Sequence, residues 1–447
     1  MTTRPSAGPG AVDEPSVSET SSSPAAADSS PPTEVFAFLL ELGKSLLATG
    51  DAVSDIEARL VKAAKAYGQP DASIIVLPTA VAIGGGARQP GTLATVDTEG
   101  SVGSMGEQLR LDQITEVLNV SRQAASGELT AERGLEALRR VREMPNRYNA
   151  LVTDLGYVIL TVGIGLILAP SVRLLPAYAA LGLLVALMRD GARRVPGLAT
   201  ILPVLAASVV SAIAFSVAGR YEAAPLAELI APLVLFLPGA LLTMATVDLA
   251  SDEVVTGASR FLAGMLQLAL LAFGIVAGAR LVGVAAARAT PVPSDLLGSW
   301  APWLGVFLFA LGTSLRHSAP RRSLPWLLLV LYAAWSGQLL GQLLFGADLS
   351  GFVGGLVVAP LAMLIERFRS APPALVSFLP AFWLLVPGAL GLIGFTQLVG
   401  NEPIAGMTSF GDALVSIISI ALGILVGIRV LRIAESVVAS ARRAARF

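Results

Sequence analysis

Long apolar runs recur along the last two thirds of the chain, whereas the first third alternates polar and apolar positions. From about Leu151 onward each run holds roughly 18 to 22 residues, enough to cross about 30 Å of hydrocarbon as a helix. The pattern predicts ten membrane spans. Their approximate cores are Leu151–Leu168, Leu174–Met188, Leu198–Val217, Leu229–Val247, Phe261–Val282, Ala301–Leu315, Leu324–Phe345, Phe352–Ile365, Leu375–Leu398 and Phe410–Leu431.

The stretch ahead of the spans, residues 33–148, has the shorter periods of a small soluble α/β domain. Its second helix places Val53, Ile56, Leu60 and Ala64 on one face. The predicted helices are Val35–Ala48, Asp51–Tyr67, Leu111–Ala125 and Thr130–Glu143, and the predicted strands are Ser73–Ile83 and Thr92–Asp97. Residues 1–32 are rich in Pro, Ser and Ala, and this composition predicts a disordered tail.

The distribution of arginine orients the spans, because cytoplasmic loops carry the excess of positive charge. One set of loops holds most of the arginines, and residues 433–447 form a basic tail on the same side. The set comprises Arg189, Arg193, Arg194, Arg316, Arg321, Arg322, Arg367 and Arg369. We therefore expect a multi-pass protein of the cytoplasmic (inner) membrane with the soluble domain and both termini in the cytoplasm, which requires an even number of spans.

The most informative feature is an internal repeat. The segment LFLPGALLTMATVDLASDEVVTGASRF from Leu235 aligns without a gap to LLVPGALGLIGFTQLVGNEPIAGMTSF from Leu384. Roughly 14 of about 47 positions are identical, at the level of a recognisable repeat. The matched spans are the fourth and fifth of each set, so the unit has five spans and reverses its sidedness. The predicted fold is a polytopic α-helical membrane protein with two inverted five-helix repeats, residues 149–283 and 297–432.

Inverted repeats with interrupted helices are typical of secondary transporters. Pro238-Gly239 and Pro387-Gly388 lie near the middle of the fourth and ninth predicted spans. Proline removes a backbone donor and glycine permits non-helical angles, so the two breaks predict a substrate site with free carbonyl and amide groups. Thr243 and Gln397 are polar candidates beside them. The alternative is a simple proline kink at each position.

Four carboxylates are candidates for proton coupling because charged groups inside a membrane are costly and often functional. Asp248, Asp252 and Glu253 follow the first break, and Asp412 lies at the start of the tenth predicted span. The alternatives are a solvated loop for the first three and a helix N-cap for Asp412. Two further titratable residues have simpler interpretations: an interfacial position for Asp154 and a solvated loop for His317.

Composition narrows the class of protein. Charged residues make up 14% of the chain and hydrophobic residues 54%. The chain has no cysteine and a single histidine, which excludes disulfides, thiolate chemistry and multi-histidine metal sites. We find no nucleotide-hydrolysis motif, and the triple glycine at 84–86 lacks the residues of a phosphate loop. We therefore expect no enzyme activity, no cofactor and no nucleic-acid partner.

At these residues the chain resembles the threonine/serine exporter family. The motifs that carry the resemblance are LLATGDAVSDIEARLVKAAKAYG, LPTAVAIG, RYNALVTDLGYVILTVGIG and the two PG segments. The resemblance covers about Val35 to Leu431 and implies export of threonine and serine linked to the proton motive force. It points to the PG pairs and the acidic segment after the first of them as functional positions.

Three functions follow from these features. The leading one is export of threonine and serine; the second is export of another small metabolite such as a dicarboxylate. The third is a sensor or enzyme whose soluble domain carries the activity, with the spans as an anchor. The expected partners are the lipid bilayer, a small amino acid and protons, and self-association into a homo-oligomer is left open.

Overall fold

A computed structural model describes residues 32–85, 93–97, 109–195, 197–218, 226–283, 297–347, 349–368, 370–385, 387–399 and 403–444. The predicted disordered tail lies outside these residues except for Pro32, and so do the last three residues of the predicted basic tail.

The N-terminal unit is helical with one small sheet. Its elements are α1 Pro32–Leu47, α2 Val53–Ala66, β1 Ser73–Leu77, β2 Ala80–Gly84, β3 Leu93–Asp97, α3 Leu111–Ser126 and α4 Ala131–Arg142. The strands form an antiparallel sheet in the order β1-β2-β3. The prediction of one strand over Ser73–Ile83 was wrong, because the chain reverses at Pro78-Thr79 and Leu77 pairs with Ala80.

The core of this unit is formed by the apolar faces of its helices and sheet. Val53, Ile56, Leu60 and Ala64 are buried on one side of α2, which confirms the predicted face. The same apolar cluster continues into Ala319, Leu375 and Val376, beyond the N-terminal unit. The N-terminal unit therefore packs directly against the apolar helices that follow it.

Twelve helices follow in the described residues from 150 onward. They are α5 Ala150–Leu168, α6 Leu175–Ala192, α7 Leu198–Ala218, α8 Leu226–Leu233, α9 Gly239–Ala250, α10 Val254–Leu281, α11 Ala301–Arg316, α12 Leu324–Phe345, α13 Ser350–Ile365, α14 Ala374–Leu385, α15 Pro387–Val399 and α16 Pro403–Ala444.

Six membrane-crossing segments among these residues are long and apolar enough to qualify as spans, and α8 with α9 gives a seventh if the bent pair counts as one. Three shorter apolar helices lie at α11, α13 and α14. The protein is thus a polytopic helical membrane protein, and the count of ten spans stays a prediction.

Glycines bring several helix pairs into backbone contact. A Cβ atom on Gly312 of α11 would lie 2.4 Å from the backbone nitrogen of Leu160 on α5, and one on Gly163 would lie 2.6 Å from that of Phe309. In the same way Gly278 on α10 abuts α7, and Gly423 on α16 abuts α13. Small residues let membrane helices approach this closely, and these contacts form the centre of the helical core.

Candidate functional site

The helix is interrupted at the first Pro-Gly pair. Helix α8 ends at Leu233, a 3₁₀ turn covers Val234–Phe236, and α9 begins at Gly239 after Pro238. The axes of the two segments differ by 55°. Leu237 is extended, and Pro238 has no N–H to continue the ladder. The predicted interruption at the first pair is therefore present, with a larger bend than a smooth helix allows.

Two carbonyl groups near the break are bonded by side chains from other helices. The Tyr157 hydroxyl on α5 donates to the Pro232 carbonyl over 2.6 Å. Gln267 Nε2 on α10 donates to the Phe236 carbonyl, also over 2.6 Å. These donors replace backbone amides that the break withdraws, so they fix its geometry. Sequence reasoning did not single out either residue: Tyr157 lies in a motif that carries the family resemblance, but nothing local links it or Gln267 to the break.

Thr243 is completely buried one turn beyond the break. Its hydroxyl donates to the Gly239 carbonyl within α9 over 3.0 Å. This bond satisfies the first turn of the helix that follows the break, at the position where the sequence proposed a substrate contact.

Asp248, at the far end of α9, lies in a buried ion pair. Its Oδ2 accepts from Arg260 Nη1 on α10 over 2.7 Å, and both side chains are shielded from solvent. Its Oδ1 accepts from the Val53 backbone N–H over 3.3 Å. Val53 is the first residue of α2, whose own N-cap Ala52 offers no side-chain bond. Asp248 therefore caps a helix of the N-terminal unit, and the solvated-loop alternative for it is wrong.

Arg260 makes a second contact between α10 and the N-terminal unit. We call the contact formed by Asp248, Arg260, Asp51 and Val53 the junction. Its Nη2 donates to the Asp51 carbonyl over 2.9 Å. One arginine thus joins the end of α9 to the loop between α1 and α2. The pairing was not predicted, because the repeat directed attention to acids and the arginine sits twelve residues further on.

Asp51 lies inside this junction, and only 6% of it is exposed. Burial and the nearby Asp55 raise the pKa of its carboxyl from 3.8 to about 6. Arg59, whose Nε is 3.7 Å from Asp51 Oδ2, and the Ala52 N–H act in the opposite direction. Burial prevails because it removes the charged form from water.

The two other acids of the segment lie outside the ion pair. Asp252 is exposed and adopts a left-handed backbone with φ of 66°. Glu253 is half-buried and is the N-cap residue of α10; its backbone N–H donates to the Asp248 carbonyl over 3.0 Å. They form the turn that joins α9 to α10.

The second Pro-Gly pair opens a helix. Helix α14 ends at Leu385 and α15 begins at Pro387. The side chains of residues 385–390, which include Gly388, lie outside the described part of the chain. Gln397 near the end of α15 accepts a bond from Ser409 Oγ on α16 over 2.8 Å.

Asp412 is half-buried on α16. That helix begins at Pro403, nine residues earlier, so the N-cap alternative for Asp412 is wrong. The helix starts ahead of the predicted span core, because residues 403–409 already have a helical backbone and Pro403 is well suited to the first helical position.

His317 is not a solvated loop residue. It ends α11 with its ring 4.8 Å from that of Trp383, and its carbonyl accepts from the Leu111 N–H over 3.0 Å. Burial, with the positive charge of Arg189, lowers its pKa from 6.5 to about 4. The neutral ring packs on α14, while the backbone carbonyl of the same residue bonds α3.

Comparisons with known proteins agree on a membrane family. A family model described as "Putative threonine/serine exporter" matches residues 37–282. Two curated relatives, both called pheromone-regulated membrane protein 10, come from Eremothecium gossypii and Candida glabrata. They are 26% and 28% identical over 217 and 220 residues.

Each alignment covers 44% of this chain but only 29% and 27% of those two proteins. The chain thus spans less than a third of the length of these relatives. No solved structure matches. The family model covers more than half of the chain, from α1 through α10, including the junction and the first break. The chain therefore belongs to the threonine/serine exporter family.

Proposed function

We propose that this chain exports threonine and serine from the cytoplasm and that the proton motive force drives the export. The observation that carries the proposal is the broken helix α8–α9, whose carbonyls are held by Tyr157 and Gln267 inside a bundle of apolar helices. At breaks of this kind the N-terminus of the following half-helix, here α9, points its positive dipole end at the carboxylate of a zwitterionic substrate. Family membership supports a membrane exporter.

The architecture proposed is two five-span repeats of opposite orientation. Gly257 on α10 abuts Leu249 and the Ala245 carbonyl. Gly406 on α16 abuts Leu398 and the Gly394 carbonyl, positions that lie 149 residues further along in every case. The two turns are therefore built alike, which supports the repeat beyond the level of sequence.

The contact between α5 and α11 supports a two-fold relation. Gly156 meets the Gly312 carbonyl and Gly163 meets the Gly305 carbonyl, with the reverse contacts also made. Gly305 and Gly312 are the positions 149 residues beyond Gly156 and Gly163. Such reciprocity is what a two-fold axis produces. Since the helices run antiparallel here, the axis crosses them, as an inverted repeat requires.

The proposed substrate site comprises Pro238, Gly239 and Thr243 in one half and Pro387, Gly388 and Gln397 in the other. We propose Asp248, Asp252, Glu253 and Asp412 as the carboxylates to test for proton coupling. Asp248 comes first because it alone joins the end of the broken helix to the soluble unit.

The location proposed is the cytoplasmic membrane, with the soluble unit and both termini in the cytoplasm and lipid around the bundle. The arginine asymmetry supports this orientation. A homo-oligomer is compatible with it, and cross-linking in membranes measures that state directly.

Counterflow of labelled threonine and serine into proteoliposomes tests the function. We expect exchange of both amino acids and faster export when a pH gradient is imposed. Absence of counterflow both with and without the pH gradient would contradict the proposed export. Asp248→Asn should lower gradient-driven export more than exchange, because it removes a titratable group, with exposed Glu435→Gln as the control.

The alternatives predict other results. A dicarboxylate exporter would show competition between succinate and threonine for one site. A membrane-anchored sensor or enzyme would show threonine binding or turnover by the soluble unit, and no counterflow by the full chain.

A further inference from the structure

A second group of titratable side chains lies away from the junction, between α5 and α6. Asp154 stands in the second turn of α5 and is 8% exposed. Asp190 stands near the end of α6, and its carboxyl is close enough to hydrogen-bond that of Asp154. Asp154 Oδ1 is buried without a hydrogen-bond donor, whereas Asp190 Oδ1, also not hydrogen-bonded, has Arg189 Nη2 3.5 Å away.

Buried polar oxygens are almost always bonded, so the unbonded Asp154 Oδ1 requires an explanation. Two carboxylates in contact repel each other when both are ionised. A single proton resolves both conflicts, because the protonated carboxyl becomes the donor that its neighbour lacks.

The surrounding positive charges argue against a bound metal ion. Arg189 on α6 lies 3.5 Å from Asp190 Oδ1, and the charge of Arg193 also acts on Asp154. On α11 the backbone nitrogen of Arg316 would lie 2.9 Å from a Cβ atom on Gly156, two residues beyond Asp154. Tyr157 and His317, on both of which the charge of Arg189 acts, are further titratable groups on this side. In the described ranges no three His, Cys, Asp or Glu side chains come together as metal ligands would.

We propose that Asp154 and Asp190 form a proton-binding carboxyl pair that controls the broken helix. The pair holds one proton between the two carboxyls, and that proton exchanges with water through Asp190, whose side chain is 26% exposed.

Tyr157 connects the pair to the break. Tyr157 is one turn beyond Asp154 on the same face of α5, and its hydroxyl bonds the Pro232 carbonyl. Loss of the proton leaves two charges that must separate, and separating α5 from α6 moves Tyr157 relative to α8. Proton release and the geometry of the break are thereby linked.

The functional part of this inference rests on the proposed proton-driven export, whereas proton binding by the pair does not. The test uses the full chain in proteoliposomes. Infrared difference spectra between acidic and alkaline buffer report protonated carboxyl groups. We expect one C=O stretching component to be present in the wild type and absent from both Asp154→Asn and Asp190→Asn. Glu366→Gln, at the end of α13, should keep it.

Transport supplies the second readout. Asp154→Asn and Asp190→Asn should each lower gradient-driven threonine export by about tenfold while counterflow changes by less than about twofold. Asp154→Glu, which retains a titratable group, should keep the gradient dependence. Equal loss of counterflow and gradient-driven export in both Asn variants would indicate a structural role and overturn the proposal.

Failure of the proposed export and failure of the carboxyl pair give different results. If the wild type shows no threonine counterflow but the carboxyl component behaves as expected, the proposed function fails and the proton pair stands. If counterflow occurs but the component persists in both Asn variants, the pair fails and the exporter stands.

Discussion

Asp248 Oδ2 and Arg260 Nη1 lie 2.7 Å apart in a site closed to solvent, where the apolar helices meet the N-terminal unit. Gln397 and Ser409 stand 149 residues further along and are bonded to each other over 2.8 Å. The same two positions thus hold a charged pair in one half of the chain and a neutral pair in the other. The charged pair also contacts α2, through the bond from the Val53 N–H to Asp248.

Removing Arg260 should destabilise the protein strongly. Arg260→Ala leaves Asp248 buried without a counter-charge, and such losses cost about 3–5 kcal/mol. Thermal unfolding in detergent measures the change. Arg367→Ala serves as the control, because the Arg367–Glu435 pair is exposed and exposed pairs contribute about 1 kcal/mol or less. Equal effects of the two substitutions would contradict the buried pair.

A neutral pair should restore much of the stability that Arg260→Ser alone loses. Asp248→Gln with Arg260→Ser reproduces the second pair and removes both charges. We expect the double variant to be more stable than Arg260→Ser alone, since no unpaired charge remains. If the double variant is less stable than the single one, the two positions are not equivalent.

Tyr157→Phe tests the support of the break. The substitution leaves the Pro232 carbonyl buried without its donor, which costs about 1–3 kcal/mol. We expect a lower melting temperature together with slower threonine counterflow, because the break loses one of its two side-chain bonds. Tyr332→Phe is matched chemically, but its bond to the Trp303 carbonyl is exposed, so it should change neither measurement.

The glycine contacts predict which helices cannot accept a methyl group. Gly312→Ala places a Cβ atom 2.4 Å from the Leu160 backbone nitrogen, and this overpacking should cost about 1–3 kcal/mol. Gly411→Ala is the control, because no atom lies within 4 Å of its Cβ position. The control should be neutral or stabilising by up to about 1 kcal/mol. The melting temperatures of the two variants decide between these outcomes.

The features that local chemistry determines could be predicted from the sequence. The faces of α2 follow from its 3.6-residue period, and the break at Pro238 follows from the missing amide of proline. The hairpin at Pro78-Thr79 was missed, because a proline inside an apolar run was interpreted as an interruption of one strand. The start of α16 was misplaced for a similar reason: hydropathy reports lipid contact, not helix ends.

The junction lay beyond such reasoning. The bond from Val53 to Asp248 joins residues 195 positions apart, and no periodicity links them. The Asp154–Asp190 pair likewise depends on how α5 packs against α6. The sequence signal for the junction is a missing local cap: α2 begins after Ala52, whose side chain cannot accept a hydrogen bond. A helix start without a local cap indicates that a partner lies elsewhere in the chain.

Asp51 should make stability depend on pH. Its folded pKa of about 6 exceeds the 3.8 of the free carboxyl, so the folded protein holds the proton more tightly. The stabilisation is complete below about pH 4 and is lost as the pH rises through about 6. At pH 7 to 8 the buried charge costs on the order of 3 kcal/mol.

Asp51→Asn keeps the shape and removes the charge. We expect its melting temperature to exceed that of the wild type at pH 8 and to approach it at pH 4. Asp71→Asn, an exposed aspartate of the same unit, should follow the wild type at both values. A wild type whose advantage over Asp51→Asn grows with pH would mean that Arg59 and Arg260 outweigh burial at this carboxyl.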